Sequence, residues 1–329
     1  MSPDAYPHPD PPLLAEEGEN AGVASGSGPS AIRALQVAHS APSPAGGGGL
    51  GWGSSDVRGV AEIGFTLKDG ATRLMHLHER HPLRVLFPGP VRGDVPVAVL
   101  VTTSGGLVAG DRIAIRVDVG GGAAAHVTGS AAEKIYRSTA ATTAVDQAMA
   151  VGAGGWLEFL PPETILFDRA RLRRETHVNL QGNAGFLGGG ILVFGRIAMG
   201  ERFRGGLLHE GWEVHRDGAL IWGDALHIEG EVSAIMNDPA CFAGEAACAT
   251  LILAPPSGDP RPFVEPARAV QQLSAAQALR AGVTGVNGLL VARWLGDAVA
   301  VRRAYAELAC HLRAAAMGLP PRLPRLWHV

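Results

Sequence analysis

The chain has little of what several large function classes require. Its three cysteines, Cys241, Cys248 and Cys310, show no C-x-x-C spacing, so neither a disulfide framework nor a structural zinc site is expected, and a reducing compartment fits. Charged residues make up only 18% and the net charge is −3; no Lys/Arg-rich run carries interleaved aromatics, which argues against nucleic acid as a partner. No stretch approaches the roughly 18 consecutive apolar residues of a membrane span. The opening M-S-P-D-A-Y-P-H-P-D has neither the basic region nor the apolar region of a secretory signal. A soluble, cytoplasmic protein without a membrane partner is expected. Phosphate-binding and acyl-transfer signatures are missing too: there is no G-x-x-x-x-G-K-[ST], no G-x-G-x-x-G opening a helix, and no G-x-S-x-G elbow,.

What the chain does have is glycine and strand-like alternation. Gly 45 and Pro 23, with 5% aromatics and 47% hydrophobic residues, suggest many short strands joined by turns around a substantial core. Residues 1–57 are rich in Pro, Gly, Ser and Ala and read as a disordered tail, because they cannot bury enough apolar surface to offset ordering; within it, the weakly apolar Ile32–Val37 reads as plain disorder, with a short helix formed on a partner as the alternative. Residues 58–329 read as one β-rich domain. Ala61, Ile63, Phe65 and Leu67 alternate with polar residues, Asp69-Gly70 is a hairpin turn, and Thr72–His78 returns,. Ile113, Ile115, Val117 and Val119 share one face, as do Thr176, Val178 and Leu180. Arg216-Asp217-Gly218 joins a further hairpin. Helical spacing comes mainly late, over about 268–281 and over 297–317, the latter capped by Asp297 and ended by Gly318 and Pro320-Pro321,. Ser130–Ser138 has the mixed character of a helix start.

Four constellations carry candidate chemistry. The loop Val101–Asp111, V-T-T-S-G-G-L-V-A-G-D, places Thr102, Ser104 and Asp111 around Gly105, Gly106 and Gly110, whose backbone freedom permits close approach of an ion or another strand. Glu163 and Asp168, five residues apart after Pro161-Pro162, face opposite sides of a regular strand; brought together by a bulge or the strand end, they would with Asp111 form a carboxylate set that binds a hard or borderline cation transiently,. Arg169, Arg171 and Arg173 alternate onto one face. His76, His78 and His81 form H-x-H-x-x-H, in which His76 and His78 point the same way along a strand and would chelate Ni²⁺ or Zn²⁺,. The bland readings are a glycine-shaped turn, solvated strand ends and surface histidines.

Taken in order, several blocks resemble the urease accessory protein family UreD (also UreH). They are Leu86-Phe87-Pro88, Thr102 to Asp111, Ala131 to Ser138 (A-A-E-K-I-Y-R-S), Leu157 to Asp168 (L-E-F-L-P-P-E-T-I-L-F-D), Phe194 to Glu201 (F-G-R-I-A-M-G-E) and Pro320-Pro321-Arg322-Leu323. The similarity runs from about Arg58 to the C-terminus. Ala109 stands where the family usually has Gly, and Gly129-Ser130 where it has Thr-Gln. The His76/His78/His81 run and the N-terminal tail are not family features.

The resemblance implies a mainly β fold, with two stacked sheets in a helical-like arrangement and a small, largely C-terminal helical region. It implies a non-enzymatic maturation factor with no catalytic residue and no stably bound cofactor. Such a factor works with a UreF-type protein and a UreG-type GTPase, docks on apo-urease, and passes nickel transiently through an internal polar channel. Carried over by position, Thr102, Ser104, Asp111, Tyr136, Arg137, Ser138, Glu163, Asp168, Arg196 and Glu201 are the expected channel or partner-facing residues. The competing readings are a β-rich hydrolase using Ser104 or a His76/His78 metal centre, and a β-sandwich ligand-binding module.

Overall fold

The computed structural model describes residues 59–89, 91–139, 141–275 and 279–328. The expected tail, residues 1–57, and the Ile32–Val37 stretch within it lie outside these. Alternation of the kind seen at Ala61-Ile63-Phe65 builds a seven-stranded sheet. In spatial order its strands are β14 (Ala219–Glu229), β13 (Leu207–Arg216), β11 (Arg171–Leu180), β8 (Thr143–Val151), β5 (Arg112–Val119), β1 (Gly59–Lys68) and β2 (Ala71–Arg80). A ten-stranded sheet stacks on it. Its main path is β16 (Arg280–Val286), β17 (Leu289–Gly296), β15 (Ala247–Ala254), β12 (Gly185–Phe194), β9 (Trp156–Phe159), β6 (Ala124–Gly129), β4 (Val97–Thr102) and β3 (Leu83–Leu86). Two short strands lie off this path: β10 (Thr164–Leu166) beside β12, and β7 (Glu133–Ile135) beside β10.

From β5 to β13 the chain winds between the sheets, so that β5, β8, β11 and β13 pair in parallel in one sheet while β6, β9 and β12 do so in the other. This is the helical-like stacking of two sheets expected above. Successive coils turn on stacked glycines: a Cβ on Gly152 would come within 2.7 Å of the Gly121 backbone nitrogen. The hairpins are also as expected, with Asp69 and Gly70 at φ 52° and 71° and Asp217 and Gly218 at 49° and 82°, the double left-handed geometry of a two-residue hairpin turn.

Two apolar layers hold the fold. Between the sheets, Ile63, Phe65, Val117, Leu157, Phe159 and Val178 are buried together. On the outer face of the ten-stranded sheet, Trp156, Ile191, Leu251 and Trp294 pack against Tyr305, Leu308 and Leu312 of a long helix.

The α-helices among the described residues are α1 (Val232–Asn237), α2 (Arg261–Ala275) and α3 (Ala298–Met317). In α3 the Asp297 carboxylate accepts from the Val299 and Ala300 amides and Gly318 adopts the left-handed cap, as its sequence predicts. The helix expected over 268–281 is displaced: α2 starts at Arg261, and Arg280 already opens β16. Its start was masked by Pro262 and Pro266, yet a proline in the first turn removes an amide that has no helical partner, and Pro266 is absorbed further in. Ser130–Ser138 begins no helix. The Leu107 amide donates to Lys134 O and the Glu133 amide to Glu163 O, and these tertiary bonds draw the segment out into β7. No helix among the described residues is long and apolar enough to cross a membrane.

Candidate functional site

The glycine loop is the roof of a space between the sheets. Leu107 pairs with Ile135 as an isolated bridge, the Tyr136 amide donates to Leu107 O at 2.9 Å, and the Tyr136 hydroxyl donates to Gly105 O at 3.2 Å. Gly106, at φ 148°, lies so close to β7 that a Cβ there would meet the Tyr136 ring at 2.7 Å and Lys134 O at 2.8 Å. Only glycine lets the loop lie this flat. Beneath it is a cavity of about 170 Å³, walled by Ile113, Ile115, Gln147, Leu172 and Arg174 on one sheet and by Leu100, Thr102, Phe159 and Thr164 on the other.

The polar groups of this cavity form a track. The Thr102 hydroxyl donates to the Glu133 carboxylate. Burial pushes the Glu133 carboxyl up from its ordinary value, against the pull of Thr102, the Lys134 amide and the Arg174 charge. Across the cavity, the Arg174 Nη1 donates to Thr164 Oγ1 at 2.9 Å and its Nε donates to both Glu210 oxygens at 3.0 and 2.7 Å. Glu210 also accepts from Trp212 Nε1 at 3.1 Å and lines a second space of about 50 Å³ with Asp224 and Cys248. Burial pushes the Cys248 thiol up to about 12, with the Glu210 carboxylate adding to the shift. Thr176 donates to Gln147 at 2.9 Å beside this line. Hydroxyl, amide and carboxylate oxygens thus run through an otherwise apolar layer.

A family model described as UreD urease accessory protein matches residues 57–328. The chain belongs to the UreD family. Named urease accessory proteins resemble it over most of their length. The UreD of Magnetococcus marinus is 42% identical over 279 residues, 84% of this chain and 96% of that protein. UreD 3 of Bradyrhizobium sp. is 39% identical over 272 residues, 82% and 93% of the two chains. UreD of Rhodopseudomonas palustris is 40% identical over 276 residues, 82% and 91%. The role of the family is in urease maturation.

Of the positions expected from the UreD resemblance, Thr102 is the one that lines the cavity. Ser104 donates to Gly106 O at 2.8 Å inside the loop, and Asp111 accepts from the Val108 amide at 2.9 Å, closing the turn. Tyr136 meets Phe167 edge-on, with ring centres 4.9 Å apart. The Arg196 guanidinium lies 4.6 Å above the Phe167 ring and pairs with Glu201, whose other oxygen accepts from the Asp168 amide at 2.7 Å. Asp168 itself accepts from the Arg204 and Gly205 amides at 2.8 and 3.2 Å. These five residues form one chain of contacts that ties β10 to the 196–205 segment. Arg137 bridges to Ala170, and Ser138 donates to Ala141 O. Glu163 does not join Asp168; it pairs with Arg302 of α3 at 3.5 Å.

His76 pairs with Glu62 at 3.5 Å on the β1–β2 ribbon, and no group of three or more His, Cys, Asp or Glu placed to hold a metal occurs among the described residues. The arginine run is partly neutralised, Arg171 by Glu229 and Arg173 by Glu175. Glu133, Gln147 and Arg174 line the cavity and Glu210 pairs with Arg174, and none of the four is among the residues expected from the sequence, although the period of two carries a signal. Arg174 is in phase with Leu172, Thr176 and Val178, and Glu210 with Leu208, Trp212 and Val214,.

Proposed function

We propose that this protein conducts nickel during urease maturation, bound to a UreF-type protein and a UreG-type GTPase on apo-urease, and that the ion travels the inter-sheet track past Thr102, Glu133 and the Arg174–Glu210 pair. The observation that carries this reading is the run of oxygen groups from Thr102 to Glu210 through the apolar layer. Oxygen donors suit a hard or borderline cation, and scattered ones replace part of its water shell without trapping it. Glu210 neutralises the Arg174 guanidinium, so that charge does not bar a cation. The contacts of Asp111, Ser104 and Tyr136 hold the roof under which the ion moves, and GTP hydrolysis belongs to the UreG-type protein.

The test is nickel loading of apo-urease by the full set of purified accessory proteins from the same organism, with nickel per active site read by mass spectrometry. Glu133→Gln and Thr102→Val are expected to assemble normally and to slow loading at least tenfold. Wild-type loading by both variants, or by a mixture lacking this chain, would overturn the reading.

A further inference from the structure

The helical layer that covers the ten-stranded sheet stops short. α3 packs on β12, β15 and β17, and α2 on β16 and β17, whereas the outer faces of β4 and β6 beyond them carry a groove of about 790 Å³. Its walls are apolar, and three of them are open to solvent: Leu86 at 58%, Phe87 at 38% and Val91 at 52%. Its floor is a buried charged network. Arg313 of α3 donates to Glu158 at 3.0 Å and to Asp94 at 2.6 Å, and His126 Nδ1 bonds Glu158 at 2.6 Å.

Two features of that floor are unfinished. His126 is 1% exposed and lines the groove, yet its Nε2 has no hydrogen-bond partner among the described residues. A polar atom buried in this way ordinarily has one. Among the described residues Arg325 stands at the rim without an ion pair, and Arg322 reaches Asp94 only at 4.0 Å. Counting the described residues alone, three guanidiniums (Arg313, Arg322, Arg325) meet two carboxylates (Asp94, Glu158), leaving one positive charge over.

We propose that this groove seats an α-helix of a partner protein, apolar along one face and carrying a carboxylate at its edge, which continues the α2–α3 layer over β4 and β6. The apolar face would lie against Leu86, Phe87 and Val91, and the carboxylate would meet the surplus charge at Arg325. A backbone or side-chain polar group of the helix would engage His126 Nε2. A second copy of this chain is disfavoured, because both grooves are concave and carry the same sign of surplus charge. A membrane is disfavoured because bilayers receive projections and not grooves. The proposal rests on the maturation reading above for the identity of the assembly.

The experiment places photoreactive benzoylphenylalanine at position 87 of the full chain and mixes it with the purified UreF-type protein and apo-urease of the same organism. Cross-linked peptides are read by mass spectrometry, and affinities are measured for wild type and Arg325→Glu. Expected are a cross-link into a helical, acidic segment of one of these two proteins and at least a tenfold loss of affinity for that protein in Arg325→Glu, whose exposed position leaves the melting temperature unchanged. A cross-link to this chain itself, no cross-link in a complex that forms, or unchanged affinity of Arg325→Glu overturns the groove proposal alone. Failure of the wild-type chain to bind either protein overturns it together with the maturation reading.

Discussion

Arg174 and Glu210 stand opposite each other on the adjacent parallel strands β11 and β13, and one guanidinium nitrogen of Arg174 donates to both oxygens of Glu210 at 3.0 and 2.7 Å. Their side chains are 11% and 9% exposed, so each charge depends on the other. Removing one partner of such a buried pair costs about 3–5 kcal/mol, whereas replacing both by apolar residues is far cheaper. Glu210→Ala is therefore expected to lower the melting temperature by roughly 6–20 °C, at about 2–4 °C per kcal/mol for a domain near this size. The double variant Arg174→Met/Glu210→Leu should recover most of that loss. Additive losses in the double variant, measured by calorimetry, would show that the two charges are not coupled.

The second buried network makes stability depend on pH. Burial alone would raise the Glu158 carboxyl, but His126 and Arg313 outweigh it and hold the group at about 2, below its ordinary 4.5. A carboxyl depressed by folding contributes stability above its unfolded value, and that contribution is lost as pH falls toward the folded value. The window is thus about pH 4.5 down to about 2, with a contribution on the order of 3 kcal/mol. Melting curves of wild type should lose stability through this window, and Glu158→Gln should start lower at neutral pH and show a flatter slope. Parallel slopes for the two proteins would remove Glu158 as the cause.

Much of this architecture was legible locally. Asp297 and Gly318 mark the ends of α3 because capping is chemistry between neighbours,. The alternation of Ile63 and Phe65, or of Val178 and Leu180, fixes which face of a strand is buried. The same alternation points Arg174 and Glu210 inward. What it does not contain is the pairing, since these residues lie 36 apart in sequence and meet only through the register of β11 on β13. Glu158 and Arg313, 155 apart, meet only when α3 folds back over β9. Asp111 illustrates the opposite case. Its place at the end of a glycine loop suggested ion binding, while in the fold it accepts a local amide, a contact that spacing alone does not separate from a ligand role.

The three cysteines should react very differently with a thiol reagent. Cys241 is exposed, Cys248 and Cys310 are partly covered, and burial pushes the Cys310 thiol up as well as that of Cys248, which rises to about 12. Thiolate is the reactive form, so iodoacetamide at pH 8 should modify Cys241 in the native protein and leave Cys248 at least a hundredfold slower. Peptide mass spectrometry after timed quenching gives the rates. Comparable alkylation of Cys241 and Cys248 before unfolding would mean that the space beside Glu210 is open to solvent.

Gly105 and Gly106 are neighbours with unequal demands, and the contrast tests the role of the loop as a roof. At Gly105 the backbone has φ 74° but a Cβ would meet nothing within 4 Å, so Gly105→Ala carries only the left-handed penalty of about 1–2 kcal/mol. At Gly106, φ is 148° and the Cβ would also strike the Tyr136 ring and the Lys134 carbonyl, adding overpacking of about 1–3 kcal/mol to backbone strain of similar size. Neither carbonyl nor ring can yield cheaply, because Lys134 O accepts the Leu107 amide at 2.7 Å and Tyr136 packs on Phe167. Gly106→Ala should therefore lift the loop off β7, and the change should appear as faster hydrogen exchange at Leu107 and Tyr136, whereas Gly105→Ala should leave exchange there unchanged. If both variants exchange alike, the roof is held by something other than the close approach at Gly106.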